Sequence, residues 1–380
     1  MASSQPHYEL FGPEEVPLSE RTQDADYPLA AFKSFLYNQS DDRQTLSNAI
    51  VFWDLLPKYA NEKLNQLPKN EFPNAVECSF SYLGQRFTLT QFPGTTRDYN
   101  VKSQHREDEP WVRRYPGVKE QAVEIALIKL ASEAGGVCDT QQMERRYGVV
   151  FSIRQLRREL EAMGHSYNHY QVVEAIDILA SADFILNIQG GKAVSRDSIV
   201  SSYEAITHEG VARTSPEARW RVLFHQMVAR AIESAQYRQF DLSRLCSRKS
   251  YGIQLVKRLI FAYNISPDNP VVISYLELQE TASGLNFAKT SDGVRRLEQE
   301  LKRLQKEHVF SHYVKDPISQ AGAKGGRPAL VDARFTIYPG ASLVSEVKAA
   351  NRRHSRVEQE LKLSPRMRKE RQLKLTLSSD

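Results

Sequence analysis

The sequence predicts an α+β chain built from two successive units of one kind, and three observations carry that prediction. Helical and strand-like segments follow the same order twice along the chain. In each unit the apolar residues first recur at three and four positions and then alternate, the change expected where helices give way to a β-hairpin. The charge is also polarised. Residues 1–110 hold 10 basic and 16 acidic side chains and residues 111–210 hold 11 and 13, against 20 and 12 in 211–340 and 10 and 5 in 341–380. A net charge of +5 over 380 residues therefore hides a second half suited to a polyanion. With 41% hydrophobic and 26% charged residues, wholesale disorder and fibrous architectures are excluded.

Residues 1–45, rich in Ser, Gln, Asp, Glu and Pro, are expected to form a disordered acidic arm. Residues 46–110 read as a small β extension: an apolar AIVFWDLLPKY run, then Phe80, Tyr82, Phe87 and Leu89 about a Leu83-Gly84 turn. The first unit, 111–208, opens after Tyr115-Pro116-Gly117 with VKEQAVEIALIKLASEA, apolar on nearly every side and so a buried helix. A strand at Val149 to Phe151 leads to a helix capped by Ser152, with Ile153, Leu156, Leu160 and Met163 on one face and a stop at Gly164. The next helix, with Ser166 as its expected cap, has a stripe of Val172, Val173, Ile176, Leu179 and Ala180, and a hairpin turns at Gly190-Gly191-Lys192. Two helices about a tight turn followed by a hairpin are the order of a winged helix.

After a linker at 209–218 the order recurs in 219–340. Trp220 to Phe224 reads as a strand, with helical segments at His225 to Ser234 and Ser250 to Tyr263, and a strand at Val271 to Ser274. A helix from Tyr275 passes through Gly284 to a second helix at Ser291 to Glu307, and HVFSHYV and ALVDARFTIYP flank a glycine-rich loop. Two tandem winged-helix units, with a basic tail at 341–380, are the expected architecture.

The helix Ser291 to Glu307 carries the strongest chemical signal. Val294, Leu297, Leu301 and Leu304 form one apolar seam, and Asp292, Arg295, Arg296, Gln299, Lys302, Arg303 and Lys306 fall on the opposite face. Such a face suits a DNA major groove, where Arg forks onto guanine and Gln pairs with adenine; a solvated helix with pairs such as Glu298 to Lys302 is the plainer reading. Lys324 and Arg327 in the glycine-rich loop can reach a minor groove. Lys257 and Arg258, with Arg248-Lys249 upstream, are candidates for phosphate contacts. In the first unit the wheel places Tyr167, Tyr170, Gln171, Glu174 and Asp177 outward, a face for a protein partner, or for tyrosines that pack inside. Arg154, Arg157 and Arg158 on the preceding helix are its candidates for DNA backbone.

No catalytic residue is expected. The chain lacks GxxxxGK[ST], so nucleotide binding through a P-loop is not indicated. His165 and His169 have the spacing of a metal pair on a helix but no further ligands in reach, and Cys78, Cys138 and Cys246 lack metal or disulfide spacing. Neither a metal nor a cofactor is therefore expected. The acidic, polar start and the lack of a long apolar run point to a cytoplasmic chain with no membrane contact.

Several strings resemble the replication initiator (Rep) proteins of theta-replicating plasmids from Gram-negative bacteria: SNAIVFWDLLPKY, RYPGVKEQAVEIALIKLA, GVVFSIRQLRRELEAMGHSYNHYQVVEAIDILA, VLFHQMVARAIESAQYRQFDLSRL and DARFTIYPGASLVSEVKAANRR. They span about residues 46 to 353, and the FH-x-MV to YRQF string and the GH-S-Y turn are the most specific. The resemblance implies tandem winged helices that bind directly repeated duplex DNA at an origin, help open an adjacent AT-rich segment, and recruit the host helicase and initiator. It also implies dimers that repress their own gene, and so control copy number, in equilibrium with initiating monomers. By the same implication Arg295, Arg296, Gln299, Lys302 and Arg303 read bases, while the first unit dimerises and contacts backbone. KSYGIQLVKRLIFAY departs from the family's pattern, and the acidic arm has no counterpart in it. A tandem winged-helix transcription regulator, a nicking enzyme of rolling-circle type and a protein-interaction adaptor are the alternatives.

Overall fold

The computed structural model describes residues 46–82, 85–98, 110–132, 136–139, 146–188, 193–206, 218–233, 236–245, 249–262, 265–282, 284–285, 287–320 and 328–362. The expected acidic arm, the 209–217 part of the linker and residues 363–380 lie outside these. The described architecture mixes helices and sheets, as an α+β class requires.

The chain enters through β1 (Leu46–Ile50) and α1 (Val51–Leu55). β1 runs antiparallel to β12 (Tyr237–Asp241), with Leu46 opposite Asp241 and Ile50 opposite Tyr237. β2 (Val76–Tyr82) and β3 (Gln85–Gln91) form the expected hairpin, which joins β8 (Asp183–Ile188) and β9 (Ala193–Ser198) in a four-stranded sheet of order β2-β3-β8-β9. β4 (Gly94–Arg97) and β5 (Trp111–Arg114) make a separate two-stranded ribbon.

Next comes α2 (Val118–Leu130), whose first turn is closed by the Gly117 N–H donating to Glu120 Oε2 at 2.8 Å. Its residues from Glu120 onward are buried all round, which is why its apolar residues show no single stripe. β6 (Gly136–Asp139) and β7 (Arg146–Ser152) lead into α3 (Ile153–Ala162). Ser152 caps α3 reciprocally with Gln155, and Ile153, Leu156, Leu160 and Met163 are buried. After Gly164, at φ +83°, the cap of α4 (His169–Ser181) is Asn168 in place of the expected Ser166. The Asn168 Oδ1 accepts from the Gln171 N–H at 2.9 Å, while the Gln171 side chain accepts from the Asn168 N–H. Both residues are good caps; the chain extends two residues further before it can turn into the helix.

β10 (Val200–Ile206) and β11 (Arg219–Phe224) complete a sheet of order β10-β11-β7-β6, so β11 pairs back onto the first half of the chain. α5 (Gln226–Glu233), β12 and α6 (Ser250–Phe261) follow. β13 (Val271–Ser274), α7 (Tyr275–Thr281), α8 (Thr290–Lys306), β14 (Phe310–Gln320) and β15 (Ala329–Pro339) end in a three-stranded sheet of order β13-β15-β14. Residues 341–362, placed in the basic tail by composition, are instead helix α9 (Ala341–Lys362), docked through Glu346, which accepts from the Asp241 N–H at 2.8 Å and pairs with Arg244.

The core is crossed by charge. Glu124 of α2 is buried and accepts from the Trp53 indole N–H at 2.6 Å, Lys58 Nζ at 2.9 Å and the Tyr59 hydroxyl at 2.7 Å. Burial lowers the Lys58 ammonium to about 8, although Glu124 and Asp54 hold it up. Asp54, also buried, pairs with Lys257 of α6 and accepts from the Ile50 N–H at 2.6 Å. Beside this hub the His225 ring stacks on Trp53 at 4.7 Å and on Phe184 at 5.2 Å, and its Nδ1 accepts the Met227 N–H at 2.9 Å, capping α5.

Burial, with Lys58 and Arg230 adding to it, lowers His225 from its ordinary 6.5 to about 3. Asp197 Oδ2, 3.8 Å from Nε2, favours protonation but does not outweigh these. The unfolded chain thus binds a proton that the folded chain refuses. The His225 contribution is present above about pH 6.5 and is lost as pH falls toward 3, by at most about 1.4 kcal/mol per pH unit. Urea unfolding between pH 7 and 5 is expected to show this loss, with a shallower slope in His225→Asn; an unchanged slope removes His225 as its source.

Candidate nucleic-acid interface

α8 carries the basic face expected of the second half. Its seam residues Val294, Leu297, Leu301 and Leu304 are buried, which fixes the rotation of the helix and leaves Arg295, Gln299, Lys302, Arg303 and Lys306 exposed. The side chain of Arg295 is 74% exposed. Arg296 is half-buried, hydrogen-bonded to Gln299 at 3.2 Å and to the Tyr251 hydroxyl; burial raises that phenol and Arg296 opposes the rise. Arg295 pairs with Asp292 at 3.3 Å and Arg303 with Glu307 at 2.9 Å, both on the solvent side. Exposed pairs of this type contribute about 0–1 kcal/mol and yield readily to a stronger anion.

Neighbouring elements hold α8 in place. Lys315 of β14 reaches Glu298 at 3.0 Å, tying the long hairpin to the helix. In the first turn, Gly293 admits the Tyr275 side chain of α7, whose hydroxyl donates to Leu285 O at 2.7 Å. A Cβ at Gly293 would overlap that hydroxyl. Ser274 caps α7, and its own hydroxyl donates to Asp332 Oδ2 at 2.8 Å on β15. The helix pair and the hairpin are thus one braced assembly.

The other expected site residues are placed differently. Lys257 is a correction: it is 3% exposed and paired with Asp54 in the core, so it cannot meet a phosphate. Arg258 lies against α7, donating to Glu277 O at 3.1 Å and Thr281 Oγ1 at 3.2 Å, where it serves the last turn of that helix. Lys324, Arg327 and Arg248 fall outside the described residues, while Lys249 is exposed just before α6. Arg154 and Arg158 are exposed on α3; Arg157 donates to Tyr167 O at 2.9 Å and braces the turn before α4.

The outward face read for α4 is also corrected in part. Glu174 and Asp177 are buried where the β4–β5 ribbon, α2 and β10 pack on α4: Arg114 and Lys119 hold Glu174 at 3.3 and 2.6 Å, and Thr96 and Tyr203 hold Asp177 at 3.3 and 2.6 Å. Tyr167 and Tyr170 are half-buried and Gln171 is exposed. Sequence reasoning also passed over Lys315 and the exposed Arg334 of β15, which alternation along the strands could have found. Among the described residues no group of three or more His, Cys, Asp or Glu is placed to hold a metal, and no helix is long and apolar enough to cross a membrane.

No family model matches this chain, and no curated protein matches it. Among solved structures it is similar to the crystal structure of selenomethionine derivatives of domains 2 and 3 of RctB, with a TM-score of 0.43 and 14% identity over 75% of this chain and 99% of that one. A crystal structure of RctB domains 2–3 is similar with a TM-score of 0.38 and 14% identity, over 72% and 95% of the two chains.

Gly293→Ala is expected to destabilise the chain by about 1–3 kcal/mol through overpacking against Tyr275. Urea denaturation checks this. Tyr275→Phe, which removes the atom that would clash first, should make the double variant less than additive, and full additivity means that the two residues do not meet.

Proposed function

We propose that this chain is a sequence-specific duplex DNA-binding protein that initiates replication of a plasmid. In this reading it binds repeated sites at the origin, promotes opening of the neighbouring duplex and brings in the host helicase and initiator. The observation that carries the proposal is the basic flank of α8, held outward by a buried leucine seam and braced by the hairpin. The α7–α8 pair about Gly284, followed by β14 and β15, is read as a winged helix whose second helix enters the major groove. α3 and α4 about Gly164, followed by β8 and β9, are read as a second winged helix, serving dimerisation and backbone contact. The unit boundaries are those set out from the sequence.

Arg295, Arg296, Gln299, Lys302 and Arg303 are assigned to base edges and nearby phosphates, and Lys306, Arg154 and Arg158 to phosphates. The mechanism needs no covalent chemistry. Affinity comes from releasing counterions along the phosphates, and specificity from guanidinium and amide groups matched to base edges. A homodimer in equilibrium with monomer, and cytoplasmic action, belong to the same proposal.

The deciding experiment is selection of duplexes from a random library by the full chain. One enriched site of about one to two helical turns is expected; no enrichment by folded protein overturns the proposal. On the selected site, log K is expected to fall with log salt at a slope of about −5 to −7 for six to eight phosphates. A slope near zero rejects the phosphate contacts. Arg295→Ala should cost about 1–3 kcal/mol and relax preference at one base; equal loss on every sequence makes Arg295 a phosphate contact. Failure of a cloned origin carrying the site to replicate with this protein, while the protein still represses a promoter, would favour a transcription regulator.

A further inference from the structure

One arginine of α8 is fixed before any ligand arrives. Arg295, Lys302 and Lys306 stand in solvent, whereas Arg296 is half-buried and hydrogen-bonded to the Tyr251 hydroxyl of α6. Tyr251 is itself held, 4% exposed in the first turn of α6. Its ring lies against the Gly284 turn between α7 and α8, where a Cβ would come within 3.3 Å of it. α6 is anchored in turn by Lys257 on Asp54, and Glu300 and Arg303 complete the charges about the Tyr251 hydroxyl.

Arg296 carries its neighbour with it. Gln299, one turn on and exposed, accepts from Arg296 Nη1 on its Oε1 at 3.2 Å. A guanidinium has donors only, so the amide oxygen faces Arg296 and the Nε2–H2 group is what the amide can offer a ligand. That changes what Gln299 recognises. The adenine contact expected of a glutamine needs the oxygen for the N6 amino group and the nitrogen for N7. Here the oxygen is engaged, and its second lone pair lies beside a cation, where the N6 amino group would set donor against donor. Arg296 and Gln299 together present N–H groups alone. In the major groove guanine offers two adjacent acceptors, N7 and O6, and no donor; adenine and cytosine each present an amino group, and thymine sets a methyl group beside its one acceptor.

We propose that Arg296 and Gln299 act as one donor-only unit that selects guanine and rejects adenine, with Tyr251 as the residue that positions it. The proposal rests on the duplex-reading role of α8 and names the base that this part of the helix reads.

The test uses the full chain and the duplex selected from the random library. Gln299 is exposed, so Gln299→Ala keeps the fold, and its selected sequences show which base pair loses preference. That base is expected to be guanine. Replacing it by adenine, with thymine opposite, should weaken wild-type binding about 5- to 150-fold. Substituting 7-deazaguanine, which lacks the N7 acceptor, should weaken it too, whereas inosine, which keeps N7 and O6, should not. Arg296→Leu releases the Gln299 oxygen, so the preference for guanine over adenine should vanish or invert. Tyr251→Phe keeps the buried ring, removes only the hydroxyl and should lower the same preference; a merely structural role would weaken both duplexes alike. Gln299→Glu should move the preference to cytosine, whose N4 amino group a carboxylate accepts. The proposal is overturned if the base is adenine, if Arg296→Leu weakens both duplexes equally, or if Tyr251→Phe leaves the preference at its wild-type strength. No enriched duplex for the wild type rejects the role of α8 and this assignment with it. An enriched duplex on which Gln299→Ala relaxes no base rejects the assignment alone.

Discussion

Two carboxylates buried among lysines organise this molecule. Glu124 and Asp54 cannot remain charged in the interior without partners, and breaking one such buried pair costs about 3–5 kcal/mol. Glu124 belongs to α2, Asp54 and Lys58 to the segment that opens the described chain, and Lys257 to α6. Satisfying all four draws three stretches of sequence to one point, and other contacts of this region follow from it. β1 is held in register with β12, Asn48 donates to Ser132 at the end of α2, and Gln254 donates to the Asp54 carbonyl. The ion pair Arg86 to Glu280, 4.0 Å apart and half open to water, is also made between the halves but adds little by comparison.

The same accounting changes how the charge of the second half is to be understood. A surplus of cations in sequence measures surface potential only if the cations are on the surface. Lys257 neutralises Asp54, Arg238 is 1% exposed and donates to Ile260 O at 3.2 Å, and Arg258 is turned onto α7. Of the cations that remain for solvent among the described residues, Arg295, Lys302, Arg303 and Lys306 share α8, whose buried leucines set which way they face. Local geometry, more than the net count, therefore decides where positive charge meets solvent.

This distinction also marks what could be read from sequence. The seam of α8, the Ser152 cap, the buried α2 and the β14–β15 hairpin were legible because each depends on residues a few positions apart. Lys257 was not, since its partner lies about 200 residues away. β12 was not singled out as a strand either: it forms against β1, almost as distant. Ser166 and Asn168 are both competent caps, and only the path of the turn chooses between them. For Glu174 and Asp177, a helical wheel assigns faces relative to one helix and knows nothing of a ribbon laid across it. The electrostatic reading failed at those residues for a steric reason.

α4 and α8 occupy matching positions in the repeated order of elements but meet opposite fates. α8 keeps an exposed basic flank. α4 has its acidic residues covered and neutralised by Arg114 and Lys119, with Thr96 and Tyr203 on Asp177. Cover by the ribbon, together with Lys119 of α2 and Tyr203 of β10, is what allows α4 to carry these carboxylates buried. The cost is that α4 cannot enter a groove along the covered stretch. Along that stretch the outer side of the ribbon faces solvent, so matching positions in the repeated order carry a helix in one half and a pair of strands over the helix in the other.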